Sequence, residues 1–148
     1  MIVRPLHSLA AATLALVAAL VAGCASTSQA TPERDALAKE FLTHPGASTL
    51  YVYRSPFNHY DYDTVLYIDG RLIGATLPGA FFRIDVNPGK HILHGTGIDI
   101  GELALETRPG HLYFVALNVN AGHSNFRVVS EEAGKQQVRA CCRKSTPR

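Results

Sequence analysis

Thr64-Val65-Leu66-Tyr67-Ile68-Asp69-Gly70-Arg71-Leu72-Ile73-Gly74-Ala75 is the stretch whose reading decides the fold. Two runs of β-branched, aromatic and aliphatic residues flank an Asp-Gly pair. A two-residue hairpin turn needs positive φ at both central positions, which aspartate tolerates and glycine adopts freely. The stretch therefore predicts a tight hairpin, Thr64–Asp69 against Arg71–Ala75. The same period of two continues on either side and predicts further strands at Thr49–Arg54, Ala80–Val86, Lys90–Ile98, Glu102–Arg108, His111–Val119 and Asn125–Ser130. Pro45-Gly46, Pro78-Gly79, Pro88-Gly89 and Pro109-Gly110 punctuate the series, and the last two fit type II turns. Phe82, Ile84 and Val86 alternate with Arg83 and Asp85, as Leu103 and Leu105 do with Glu102, Ala104 and Glu106, which gives each strand an inner and an outer face. His111–Val119 is apolar on both faces and is expected to be central or covered. The expected fold is mainly β: a single antiparallel β-sandwich of about seven to eight short strands, spanning residues 46–142, with a short helix at each end.

The flanking helices have their own signals. Thr31 is a candidate N-cap, Pro32 suits the first helical position, and Glu33 sits near the positive end of the helix dipole. A helix over residues 33–44 would carry a narrow apolar stripe of Leu37, Ala38, Phe41 and Leu42, must dock to be stable, and stops at His44-Pro45-Gly46. Glu131 to Arg143 reads as a second helix capped by Ser130, with Val138 and either Cys141 or Cys142 facing the sheet, although Gly134 weakens it. Residues 143–148 read as a basic tail.

At 148 residues, with 14 Lys and Arg against 12 Asp and Glu, the chain suits one domain and lacks the basic excess of a nucleic-acid binder. Leu9 to Ala22 is an apolar run of 14 residues, long enough for a signal-peptide core and too short to span a bilayer. It ends in Val21-Ala22-Gly23-Cys24, which resembles the bacterial lipobox. That resemblance implies a signal peptide over residues 1–23, cleavage between Gly23 and Cys24, and acyl chains such as palmitate on Cys24. The bland alternative is ordinary cleavage after Ala19, which would leave a soluble periplasmic protein. Each buried methylene contributes about 0.8 kcal/mol, so two or three acyl chains hold a protein on the membrane where one does so only marginally. Residues 24–32 read as an acylated tether; Ala25 and Ser26 after the cysteine, with no aspartate, favour an outer membrane facing the periplasm. With Cys24 acylated, the vicinal Cys141 and Cys142 remain; one is expected to pack as a small hydrophobe and the other to stay a thiol.

Three stretches taken in order, Leu50-Tyr51-Val52-Tyr53-Arg54, Tyr67-Ile68-Asp69-Gly70-Arg71-Leu72-Ile73-Gly74 and Phe82-Arg83-Ile84-Asp85-Val86-Asn87-Pro88-Gly89-Lys90-His91, resemble the bacterial domain-of-unknown-function family numbered 2846. Pro109-Gly110-His111-Leu112-Tyr113-Phe114-Val115 fits the same pattern. Many members of that family are lipoproteins. The resemblance covers about residues 46–142, implies a small β-sandwich, and brings no catalytic residues with it. The loop His59-Tyr60-Asp61-Tyr62-Asp63 departs from the family pattern.

That loop is also the most suggestive chemistry. Phe57, His59, Tyr60, Asp61, Tyr62 and Asp63 concentrate aromatic rings and carboxylates between two strands, a combination suited to sugar rings, although Phe57 and Tyr60 packing back on the sheet is the plainer reading. Asp61 and Asp63 lack the rest of a calcium loop. His91 and His94 are three apart on a strand and point to opposite faces, so no metal site is expected; Gly95 to Gly101 reads as a strand end or bulge rather than a phosphate loop. There is no Gly-x-Ser-x-Gly elbow and no His-Glu-x-x-His, and Ser48, Ser55, Ser124 and Ser130 have no base nearby in sequence. The expectation is a lipid-anchored envelope protein, a non-enzymatic structural or interaction module without a cofactor, whose partners are the membrane and an envelope protein or glycan and not nucleic acid. The alternatives are a glycan or peptidoglycan binder using residues 55–63, and a hydrolase with a dispersed site.

Overall fold

The computed structural model describes residues 29–58, 64–96, 101–120 and 123–147, apart from the side chains of Thr96 and Cys141. The leader, the lipobox with Cys24, and residues 59–63 of the aromatic loop lie outside the described residues. The elements in chain order are α1 (Pro32–Ala38), β1 (Ser48–Arg54), β2 (Thr64–Ile68), β3 (Arg71–Thr76), β4 (Ala80–Val86), β5 (Gly89–Thr96), β6 (Glu102–Thr107), β7 (Leu112–Asn120), β8 (His123–Val129), α2 (Glu131–Cys141) and β9 (Arg143–Lys144). They form a five-stranded sheet in the order β8-β7-β1-β4-β9 and a four-stranded sheet in the order β3-β2-β5-β6.

The protein is mainly β, and the Asp69-Gly70 hairpin forms as its turn chemistry demands, with φ of 52° and 75° at the two central residues. Two features of the expected fold are corrected. The described residues hold nine strands rather than seven to eight. Pairing is also not purely antiparallel: β1 lies parallel to β7, and β4 parallel to β9. The cause is connectivity. β6 belongs to the other sheet, so the chain crosses over at Arg108–His111 and enters β7 beside the start of β1, without a hairpin to force antiparallel pairing. The helix α2 likewise carries the chain back before β9. Of the two Pro-Gly pairs expected to make type II turns, Pro109-Gly110 has Gly110 at φ 73°, whereas Gly89 sits at φ 142° and opens β5. Pro78-Gly79 takes that role instead, with Gly79 at φ 69° and the Ala80 N–H donating to the Leu77 carbonyl at 3.2 Å.

Both sheets feed one core. Leu50, Val52, Phe82, Ile84, Val115, Leu117 and Val119 from the five-stranded sheet meet Leu66, Ile68, Ile73, Leu93 and Leu105 from the four-stranded one. Leu105 is buried between exposed Ala104 and Glu106, as the alternation requires. Near β8 the layers approach so closely that a side chain at Gly95 or Gly101 would overlap Ser124. The Thr64 and Ser124 hydroxyls are hydrogen-bonded there at 2.9 Å.

The outer face of the five-stranded sheet holds a second core: Ala38, Phe41, Tyr51, Tyr53, Phe81, Leu112, Phe114, Val138 and Cys142. β1 is therefore buried at every position, and β7 is covered as its two apolar faces predict. Tyr51 lies at the centre, 4.9 Å from the Phe114 ring and 5.2 Å from Phe41, with its hydroxyl donating to the Ala38 carbonyl at 2.6 Å. Burial pushes that hydroxyl's pKa up, against the pull of Arg83. Phe41 also lies 4.8 Å from the Arg139 guanidinium of α2, a cation–π contact that ties the two helical segments together.

The terminal segments differ from expectation. The first helix ends at Ala38, short of residue 44, and Phe41 follows in a left-handed conformation at φ 55°. That turn drives Phe41 inward and leaves Leu37 and Leu42, half of the expected stripe, 60% and 63% exposed. Gln29 and Ala30, expected to belong to a tether over 24–32, are bound to the domain: Gln29 bridges Ser145 and the Ala30 N–H donates to the Lys144 carbonyl at 2.9 Å. Within the expected basic tail of 143–148, residues 143–145 are held by the domain: β9 pairs with Ala80 and Phe81, Ser145 is buried, and the Lys144 N–H donates to Asp35 at 2.7 Å. Burial, reinforced by Arg83 and Arg34, holds the Lys144 amine below its usual range. Cys142 packs in the outer core as one of the pair was expected to, but it is disulfide-bonded rather than a thiol, its partner sulfur lying outside the described side chains.

Gly134 is no weakness of α2. A methyl there would overlap the Phe114 ring, so glycine is what lets the helix lie against β7. Gly134→Ala should therefore destabilise the protein by about 1–3 kcal/mol in urea unfolding, despite alanine's better helix propensity. A gain in stability would show that helix and sheet have room to separate.

Candidate functional site

The loop after β1 is held by one side chain. Asn58 is buried and uses its whole amide: Oδ1 accepts from Arg54 Nε at 2.9 Å and the Val119 N–H at 2.8 Å, while Nδ2 donates to Asn118 Oδ1 at 2.6 Å and the Val119 carbonyl at 2.7 Å. The buried Arg54 guanidinium donates also to the Asn58 and Thr76 carbonyls. This network joins β1, β3 and β7 at one end of the sheets. It also presents the neighbouring Phe57 to solvent, 85% exposed. Phe57 does not pack back on the sheet, which corrects the plainer reading for that residue. His59, Tyr60, Asp61, Tyr62 and Asp63 lie outside the described residues.

Phe57 stands on the rim of a cleft of about 600 Å³. The cleft follows from strand register. Tyr53 on β1 pairs with Ala116 on β7, which pairs with Arg127 on β8, so two large side chains flank a small one across a single row. Strand spacing sets Tyr53 and Arg127 about 10 Å apart, with Ala116 as the floor between them. In the preceding row, Phe114 and Val129 lie against the outer core. Asn118 and Asn120 extend the floor, and Ala133 and Gln137 of α2 form one wall. Burial pushes the Tyr53 hydroxyl's pKa up, while the Arg127 charge pulls it down. Arg127 makes no ion pair among the described residues.

The other candidate groups are accounted for by structure. His91 is buried at the opposite end, with Nδ1 2.6 Å from Asp69 Oδ2 and Nε2 2.7 Å from the Asn87 carbonyl. Both neighbours are acceptors, so an imidazolium donates to each and a neutral ring to only one. The pair has the base-and-orienter form of a catalytic dyad, but its second nitrogen faces a backbone carbonyl rather than a nucleophile. Burial alone would raise the Asp69 carboxyl's pKa; hydrogen bonds from His91 and the Ile92 N–H outweigh it and hold the carboxyl below its usual value. His94 stacks on Tyr67 at 4.9 Å, on the opposite face of β5 as its spacing predicts. Ser48 donates to the Arg108 carbonyl, Ser55 accepts from the Phe57 N–H, Ser124 bonds Thr64, and Ser130 caps α2. Among the described residues no three His, Cys, Asp or Glu side chains converge as metal ligands.

Of the loop singled out in sequence, Ser55, Phe57 and Asn58 line the described cleft. Tyr53, Ala116, Asn118, Asn120, Arg127 and Gln137 were not legible as a group, because the β1–β7 pairing that aligns them is parallel and non-local. The one local sign is a small residue, Ala116, inside an otherwise bulky strand.

Fold and site together define a two-sheet β protein with a helix-walled polar cleft on one outer face. The chain belongs to the same family as an uncharacterized protein of Haemophilus influenzae, with which it shares 33% identity over 135 residues, covering 87% of this chain and 80% of that protein. No family model and no solved structure matches the chain.

Asn58→Ala should cost about 2–4 kcal/mol, because it removes partners from Arg54 Nε and both backbone groups of Val119; chemical denaturation measures it, and a change below about 0.5 kcal/mol would show that water replaces the amide. Asp69 gives a pH test. A carboxyl held below its unfolded value contributes stability that is present above the unfolded pKa and lost as pH falls through the folded one. The wild-type Tm should therefore fall more between about pH 5 and about pH 3 than that of Asp69→Asn. Equal falls would remove Asp69 from the acid response.

Proposed function

We propose that this chain is a lipid-anchored envelope lipoprotein of the domain-of-unknown-function 2846 kind, carrying a β-sandwich that acts as a non-enzymatic structural or interaction module. One observation supports it above the others. Gln29, five positions after Cys24, already bridges Ser145, and the next residue, Ala30, bonds Lys144. The intervening segment spans at most roughly 17 Å when extended. A lipid on Cys24 thus keeps the domain against the membrane surface, and the short reach confines its partners to that layer.

A second reading, binding of glycan or peptidoglycan through residues 55–63, is favoured by one specific feature: the exposed Phe57 beside a polar cleft. A bare phenyl ring in water is unfavourable by its apolar area, and a sugar's C–H face is a chemically suitable cover.

Anchoring is tested by cell fractionation in a bacterial host. The wild-type chain should sediment with membranes and incorporate labelled fatty acid, whereas Cys24→Ala should do neither and retain its leader. A Cys24→Ala chain that stays fully membrane-bound without its leader would sink the reading.

A further inference from the structure

The cleft is more particular than an exposed aromatic residue requires. Its floor and walls carry amide side chains, Asn118, Asn120 and Gln137, which both donate and accept and so match hydroxyl and acetamido groups. Asn118 is fixed through its Oδ1 by Asn58, which orients its amide. Arg127 adds a positive charge that no carboxylate balances among the described residues. Its guanidinium presents parallel N–H donors with the geometry of a carboxylate. The Tyr53 ring faces it across Ala116, and Phe57 closes the rim. An aromatic platform, a bed of amides and one unbalanced cation match a particular chemistry: a pyranose ring with an amide substituent and one carboxylate.

We propose that this cleft binds an N-acylated sugar bearing a carboxylate, with the carboxylate on Arg127, the ring against Phe57, and the hydroxyl and acetamido groups on the Asn118, Asn120 and Gln137 amides. The proposal deepens the glycan-binding reading by naming the sugar class, and it rests on that reading. It does not depend on the lipid anchor. A peptide carboxylate would satisfy Arg127 equally well but gives no reason for the exposed Phe57 platform and the amide bed together, so a peptide is the outcome the test must separate.

The test is isothermal titration of the full-length protein in detergent with N-acetylmuramic acid, with N-acetylglucosamine, which lacks the lactyl carboxylate, and with an alanine-containing dipeptide. The acidic sugar should bind at least tenfold more tightly than the neutral one, and the dipeptide should not bind measurably. Arg127→Gln should abolish that preference, with the loss falling mainly on the acidic sugar, Arg127→Lys should restore part of it, and Phe57→Ala should weaken both sugars by a similar factor. Equal binding of the two sugars by wild type would overturn the carboxylate assignment yet leave glycan binding standing. No binding of either sugar would overturn both. Binding of the dipeptide alone would overturn the proposal in favour of a peptide site. A melting curve for each variant that matches wild type secures the comparison, and Arg127→Gln and Arg127→Lys behaving alike would also defeat it.

Discussion

The Tyr51 hydroxyl donates to the Ala38 carbonyl, and the outer half of the molecule is arranged around that bond. A five-stranded sheet has two faces, and only one of them meets the other sheet. The second must be covered by something short of a third sheet, and among the described residues the cover comes from a seven-residue helix, an eleven-residue helix and the segments beside them. Helices this short are unstable alone. Tyr51 solves the difficulty by offering both an apolar ring and a polar tip: the ring stacks with Phe114 and contacts Phe41 and Phe81, and the hydroxyl satisfies a carbonyl at the end of α1. Val138 from α2 joins the same layer.

Incomplete cover produces the cleft. α2 lies down where Gly134 permits contact with Phe114, but its wall stops short of the next cross-strand row, where Tyr53, Ala116 and Arg127 lie in register. A row with large flanks and a small centre, left open at its Arg127 end, is a trough by construction. Asn58 then fixes the adjoining loop, and Phe57 beside it stands in solvent. The outer core and the candidate site thus have one cause: a helix too short to cover the sheet it protects.

The parts of the fold legible in sequence are those set by neighbours along the chain. The Asp69-Gly70 turn, the alternation around Leu105, the Ser130 cap and the doubly apolar β7 follow from local backbone chemistry. Readings that depended on distant partners fared worse. Leu37 and Leu42 completed a plausible helical stripe, yet the helix stops at Ala38 because the backbone reverses at Phe41 to reach Tyr51. Gly134 reads as a flaw in a helix until Phe114 is seen beneath it. Arg143 and Lys144 look like a solvated tail because their charges are local, whereas the unpaired edge of β4 that captures them is some sixty positions away.

By itself the sequence determined the hairpins, the strand periodicity, the mainly β class and the expectation of an acylated cysteine, since each rests on residues adjacent in the chain or two apart. Only the tertiary structure decided which strands meet in parallel, how near to Cys24 the folded domain begins, and that Tyr53, Ala116 and Arg127 share one row. Those relations are distances in space between residues separated by tens of positions. Local propensity carries no record of them; the need to bury two faces of one sheet does.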